Sequence, residues 1–256
     1  MADSPEMDHF VQKPVPLGAA LNGRAAEGPL VSVLLPTYNR RRYLPQALKS
    51  IVRQTYRNLE IFVVNDGGED VSGIVQSFND PRIVFINRHE NRGKPYSLNE
   101  ALARARGKYV AYLDDDDLYY PCHVATLVDV LERQTDCQVA YSDLYKVYCN
   151  VLPDGGREVL SKCVEISRDF DRFLMLYFNH ALHVSLMHRR DLLDKTGPYN
   201  EDLTVLIDYL FITLQPLTCI DEGNLDFSAD DAVTMGDLTV MIDHLFITLA
   251  PLAPCS

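Results

Sequence analysis

Apolar residues run almost without interruption over VSVLLP, residues 31 to 36, and over LEIFVV, residues 59 to 64. Runs of this length and β-branched content predict strands covered on both faces, as in a parallel sheet. Between them Leu44, Leu48, Ile51 and Val52 recur on one helical face, so this stretch reads as strand, helix, strand. The rhythm continues with a helix over Val71 to Phe78, a third strand over RIVFI (82 to 86) and a fourth over KYVAYL (108 to 113). Leu98, Ala101, Leu102 and Ala105 stripe the intervening helix, which is expected to begin near Ser97 and to end at Gly107. Val124, Leu127, Val128 and Leu131 mark a further amphipathic helix, with Pro121 placed for its first turn. Alternation of this kind predicts an α/β fold whose mainly parallel sheet is flanked by helices.

Beyond residue 138 the pattern changes. Short aromatic and β-branched runs surround Asp154-Gly155-Gly156, a hairpin signal that argues for a mixed sheet. DFDRFLMLYF, 169 to 178, reads as a helix. DLTVLIDYLFITLQPL at 202 to 217 then recurs as DLTVMIDHLFITLAPL at 237 to 252, identical at 13 of 16 positions and 35 residues apart. Each copy has the apolar pattern of a helix, so a short helical tail is expected. Residues 1–29, carrying Pro14, Pro16, Gly18, Gly23 and Gly28 without either period, read as a flexible leader. The division is thus a leader (1–29), a main domain (30–208) and a repeated tail (202–256) that overlaps the domain end.

Charge narrows the range of partners. The 256 residues hold 24 Lys plus Arg against 36 Asp plus Glu, a formal charge of -12, which argues against nonspecific nucleic-acid binding. The acidic start MADSPEMDHF is followed by no apolar signal core, and no run approaches the length of a spanning helix. A cytoplasmic protein without a transmembrane segment is expected, peripheral contact with the inner face of the membrane being compatible with it. The six cysteines are scattered without a Cys-x-x-Cys pair and read as reduced, except that Cys219 and Cys255 could pair in an oxidising compartment.

The candidate chemistry gathers after the strands. Asp114, Asp115, Asp116 and Asp117 follow KYVAYL directly. Four adjacent carboxylates repel one another, and a divalent cation such as Mg²⁺ or Mn²⁺, completed by phosphate oxygens, would relieve them. A solvated turn or helix cap is the plainer reading. Asp66, at the end of LEIFVV and before Gly67-Gly68, shares the strand-end position and suits a base or ribose, although ligand-free Asp-Gly turns are common. Arg92, Gly93 and Lys94, ahead of the next helix, suit a diphosphate or form an ordinary basic loop. Rossmann, P-loop, His-Glu-x-x-His and Gly-x-Ser-x-Gly patterns are all missing from the sequence.

VSVLLPTYNRRRYLPQALKSIVRQTYRNLEIFVVNDGG, followed by NRGKPYSLNEALARARGKYVAYLDDDDLYYP, resembles the nucleotide-binding half of the inverting glycosyltransferase family 2, of GT-A fold, over about residues 30 to 208. The resemblance implies transfer of a sugar from a UDP, GDP or dTDP donor to a hydroxyl of a glycan, lipid-linked or other acceptor, dependent on Mn²⁺ or Mg²⁺. It implies that Thr37 and Tyr38 lie near the base, that Asp66 reads the base and that Asp114 approaches the ribose. Asp116 becomes the metal ligand, with Asp115 and Asp117 in support. Where the family usually has Asp-Asp-Gly-Ser, this chain has Asn65-Asp66-Gly67-Gly68. HVSLMHRRDLLDKTGPYNEDLTVLIDYLF resembles the family segment ending in Glu-Asp and an aromatic residue, here Ile207-Asp208-Tyr209. By that resemblance Asp208 is the general base.

Asp208 also belongs to the first tail copy, where Asp243 is its counterpart, and a core-facing helix with one polar residue explains both. The stretch 223 to 246 resembles a dockerin-like calcium loop, with Asn224, Asp226, Ser228, Asp230 and Asp237 offering oxygens for one Ca²⁺. His180, His183 and His188 read as acceptor-side or packed residues rather than metal ligands. Two rival readings follow: a catalytically impaired nucleotide-sugar binder with a shortened acceptor half, and a calcium-dependent protein-interaction module in the tail.

Overall fold

The computed structural model describes residues 28–152, 156–171, 174 and 179–200. A six-stranded sheet has the order β3-β2-β1-β4-β8-β5. Its strands are β1 (Val31–Thr37), β2 (Leu59–Asp66), β3 (Ile83–Arg88), β4 (Tyr109–Tyr112), β5 (Val139–Tyr141) and β8 (Leu186–Arg189). The first four run parallel, while β8 lies antiparallel to both β4 and β5. The helices are α1 (Leu44–Val52), α2 (Ser72–Ser77), α3 (Lys94–Arg104), α4 (His123–Arg133) and the short α5 (Leu193–Thr196). A separate antiparallel hairpin pairs β6 (Leu144–Val151) with β7 (Arg157–Ile166). This is the expected mixed, mainly parallel α/β arrangement of GT-A type.

The core follows from the two apolar periods. Val31, Val33 and Leu35 of β1 join Leu44, Ala47, Leu48 and Ile51 of α1 and Val124, Leu127, Val128 and Leu131 of α4 in one buried cluster. Leu34 and Phe62, on the opposite face, are buried as deeply, which is why β1 and β2 carry no polar alternation. Each fully buried Leu or Ile contributes about 1.5–3 kcal/mol. At the sheet's N-terminal edge, Glu60 accepts from Ser32 Oγ at 2.6 Å, Arg106 N at 2.6 Å and Gly107 N at 3.1 Å. Burial alone would push its carboxyl up, but these bonds outweigh it and hold the group below the usual carboxylate range.

Several sequence expectations are corrected. α3 begins at Lys94 rather than near Ser97, because Gly93, at φ 86°, turns the chain into a first turn that contains Pro95. Gly107 does not end that helix: a Cβ there would meet Ser32 Oγ at 2.5 Å and Ser32 N at 2.6 Å, so its role is close approach to β1. Pro121 precedes the N-cap Cys122 of α4 instead of entering its first turn, and its carbonyl accepts from Thr55 N at 2.8 Å. The hairpin forms where expected, yet the mixed character of the main sheet comes from β8 and β5, not from the hairpin. The leader through residue 27, most of the 169–178 segment, and the tail with its two repeats and Cys219 and Cys255 lie outside the described residues.

One buried histidine links this core to pH. His123, at the start of α4, stacks on Tyr119 with ring centroids 4.1 Å apart, and its Nε2 is buried without a hydrogen-bond partner among the described residues. Burial pushes its pKa down to about 4. The unfolded chain therefore binds a proton that the fold resists, so stability present above about pH 6.5 is lost as pH falls toward 4. Thermal melts of the parent at pH 7.5 and 5.0 should show a drop that His123→Phe reduces, by up to about 2 kcal/mol. An equal drop in both proteins would mean that His123 does not carry it.

Candidate functional site

The strand order creates the site. From β1 the chain moves outward to β2 and β3, then returns to place β4 on the other side of β1. A switch of this kind leaves a crevice at the C-terminal ends of the strands, because the connections depart to opposite sides. Thr37 closes β1, Asp66 closes β2, and Asp114 to Asp117 follow β4, so three acidic or hydroxyl-bearing strand ends meet at one edge. β2 continues past its apolar run because Asn65 and Asp66 pair in register with Asn87 and Arg88 of β3.

Asp66 is 4% exposed. Its Oδ1 accepts from Arg88 Nη1 at 2.8 Å and from Arg92 N at 3.0 Å. The Arg88 and Arg92 guanidiniums both lie over the Tyr96 ring, at 4.1 and 3.4 Å from its centroid. Gly67, at φ 74°, lets the chain turn under residues 90 and 91: a Cβ would sit 2.3 Å from the Glu90 carbonyl carbon. Gly68 fits because Asn39 closes in on it, its Oδ1 lying 2.7 Å from where a Cβ would stand. Gly68 is therefore a local packing match between the β1 and β2 loops.

The four carboxylates of the acidic loop have four different surroundings. Lys94 Nζ pairs with Asp114 Oδ1 at 2.5 Å. Asp115 is buried and accepts from Thr37 Oγ1 at 2.7 Å; burial pushes its carboxyl up, partly offset by that bond and by Arg40. Asp116 Oδ2 is paired with Arg40 Nη1. Asp117 is pushed up to about 6, by burial first and then by Asp116 and Asp114, against the pull of Arg157 and Lys94. The loop is fixed from beneath by Tyr119, whose hydroxyl donates to Tyr112 O at 2.6 Å, and by buried Gln54, which donates to Tyr120 O at 2.8 Å.

The sequence candidates thus divide. Asp66, Asp114, Asp115, Asp116, Asp117, Thr37 and Lys94 gather at one edge, with Tyr38 beside them, 45% exposed. Arg92 contributes its backbone N–H to Asp66 while its side chain lies on Tyr96. Asp208, Asn224, Asp226, Ser228, Asp230 and Asp237 lie outside the described residues. Arg40, Arg88 and Arg157 were missed in the sequence, where Arg40 is one of three arginines in a loop and Arg88 ends an ordinary strand.

His188 Nε2 is 2.6 Å from Tyr112 Oη, and His183 packs against the same ring with centroids 4.0 Å apart. Burial, then Lys94, pushes His183 down to about 4. His180 is fully buried and its Nε2 accepts from Asp171 N at 3.3 Å. Among the described residues no group of three or more His, Cys, Asp or Glu is arranged to hold a metal ion. Asp116, 43% exposed and paired with Arg40, offers a hard carboxylate oxygen, with Asp117 next to it in the loop. That donor set fits Mg²⁺ or Mn²⁺ arriving with a phosphate, which needs only one or two protein carboxylates.

The profile of the family described as glycosyl transferase family 2 matches residues 32–187, from β1 into β8. The chain belongs to this family. An uncharacterized glycosyltransferase of Rickettsia prowazekii is 30% identical over 187 residues, covering 71% of this chain and 57% of that protein. One of Methanocaldococcus jannaschii is 30% identical over 190 residues, covering 72% and 63%. The chain therefore spans only part of the length of these family 2 relatives. The crystal structure of S. aureus TarS in complex with UDP superimposes with a TM-score of 0.51 at 23% identity, over 71% of this chain and 53% of that one, a likeness of fold. Among the described residues of this family 2 chain, no helix is long and apolar enough to cross a membrane.

Proposed function

We propose that the chain transfers a sugar from a nucleoside diphosphate donor to an acceptor hydroxyl, with inversion at the anomeric carbon and dependence on Mn²⁺ or Mg²⁺. The observation that carries this reading is the gathering of Asp66, Asp114 and Asp116 at the switch-point edge of a family 2 chain. Asp66 receives the base, held in place by Arg88 so that its carboxylate cannot swing away. Tyr38 covers the base from the β1 loop, and Thr37 acts by fixing Asp115 under the acidic loop. Asp114 meets the ribose, and Asp116 with Asp117 holds the cation.

When bound, the metal neutralises negative charge on the departing diphosphate. Lys94, moving off Asp114, and the backbone of the Arg92–Lys94 turn offer further positive potential to the same group. Asp208 accepts the proton of the acceptor hydroxyl as its oxygen bonds to the anomeric carbon, and the bond to the diphosphate breaks on the opposite face. The acceptor is a glycan, a lipid-linked saccharide or another hydroxyl compound, met in the cytoplasm or at the inner membrane face.

Calorimetric titration with UDP, GDP and dTDP and their sugars, in Mn²⁺ and in chelator, tests the reading. Saturable, metal-linked binding of one base is expected. Heat from none of the three, with metal present, would refute donor binding.

A further inference from the structure

Two cations pair with the acidic loop, Arg40 from the β1–α1 loop and Lys94 from the start of α3, while Arg157, the first residue of β7, lies within electrostatic range of Asp117. Arg40 and Lys94 are occupied by Asp116 and Asp114. Arg157 differs. Its Nε and Nη2 are both buried, and neither has a hydrogen-bond partner among the described residues. Its guanidinium lies 5.7 Å from the centroid of the Tyr43 ring, at the N-terminus of α1. Its charge, with that of Lys94, acts on Asp117.

The hairpin that carries Arg157 is tied to the β1–α1 loop. Arg42 Nη2 donates to Val151 O at 2.7 Å and also to Leu152 O, at the end of β6. Leu152 N in turn donates to Gly156 O at 2.7 Å, immediately before Arg157. The second sheet is thereby anchored beside the β1–α1 loop, and Arg157 is presented from it rather than left on a free surface.

The chemistry of the two orphaned donors selects a ligand class. Nε–H and one Nη2–H form a single edge of the planar guanidinium, pointing in parallel about the spacing of two oxygens on one phosphorus or carboxyl carbon. Buried donors of a charged group are almost always satisfied, and an unfilled pair marks a place for a missing acceptor. We infer that Arg157 is a donor-site residue whose Nε–Nη2 edge grips two oxygens of the donor's diphosphate from the hairpin side. The inference rests on the donor reading above and adds to it a residue from outside the strand-end motifs.

Calorimetry in Mn²⁺ buffer, comparing the nucleoside diphosphate that binds best among UDP, GDP and dTDP with its own nucleoside, tests this. Arg157→Gln should weaken the diphosphate by about tenfold or more, while nucleoside affinity changes less than about twofold. Arg157→Lys, which keeps charge but loses the fork, should recover only part of the affinity. Diphosphate affinity within about twofold of the parent in Arg157→Gln overturns the assignment, as does a parallel weakening of nucleoside and diphosphate. A parent that binds none of the three diphosphates overturns the donor reading and the assignment together; a binding parent with an indifferent variant overturns the assignment alone.

Discussion

Replacing Asp208 with Asn should lower turnover by about 10²–10⁴-fold while donor affinity stays within about twofold of the parent. The amide keeps the size and most of the hydrogen-bonding shape of the carboxylate but cannot take a proton at neutral pH. An acceptor hydroxyl would then attack still carrying its proton, and the barrier rises by the lost general-base contribution. On the proposed reading donor binding is carried by other residues, Asp66 and the acidic loop on the switch-point edge, so it provides the control for folding. Transfer and donor hydrolysis should be followed separately. A robust rate in the variant removes Asp208 from the mechanism and returns it to the repeated tail pattern that it shares with Asp243. Loss of turnover together with loss of donor affinity would point to a packing role instead.

The second large effect is expected at Asp116. In the parent, chelating the metal should weaken donor binding by about tenfold or more, about 1.4 kcal/mol for each factor of ten. In Asp116→Ala that ratio should fall to about one. Affinity alone is a poor readout, because Asp116 is paired with Arg40 and its removal also frees a guanidinium at the same edge. A freed Arg40 can face the diphosphate directly and partly replace the metal's charge. The decisive quantity is therefore the ratio of affinities with and without metal, measured for parent and variant. An unchanged ratio would transfer the metal to another carboxylate.

Much of the molecule was legible in local patterns. The four parallel strands follow from continuous apolar runs, and α1 and α4 from apolar residues recurring at helical spacing, because burial on two faces or on one stripe leaves a direct mark on sequence. The acidic strand ends were legible too, since Asp66 and Asp114 terminate apolar runs. Boundaries set by backbone conformation were not: Gly93 reads only as part of a basic loop and Gly107 as a helix end, yet the first turns the chain into α3 at positive φ and the second lets β1 come close. The hairpin was visible, but its separation from the main sheet and the insertion of β8 between β4 and β5 were not.

By itself, then, the sequence determined the order of elements from β1 to α4, the strand-end positions of the acidic residues and the resemblance to family 2, all of which depend on short-range periodicity and on motifs a few residues long. Only the tertiary structure decided which charges meet. Thr37 and Asp115 are 78 positions apart, and Arg40 and Asp116 are 76 apart. Such pairs exist because β4 returns beside β1, a consequence of strand order that no local period encodes. The same holds for Arg157, an unremarkable residue after a glycine pair until the hairpin sets it beside Tyr43 with two unfilled donors.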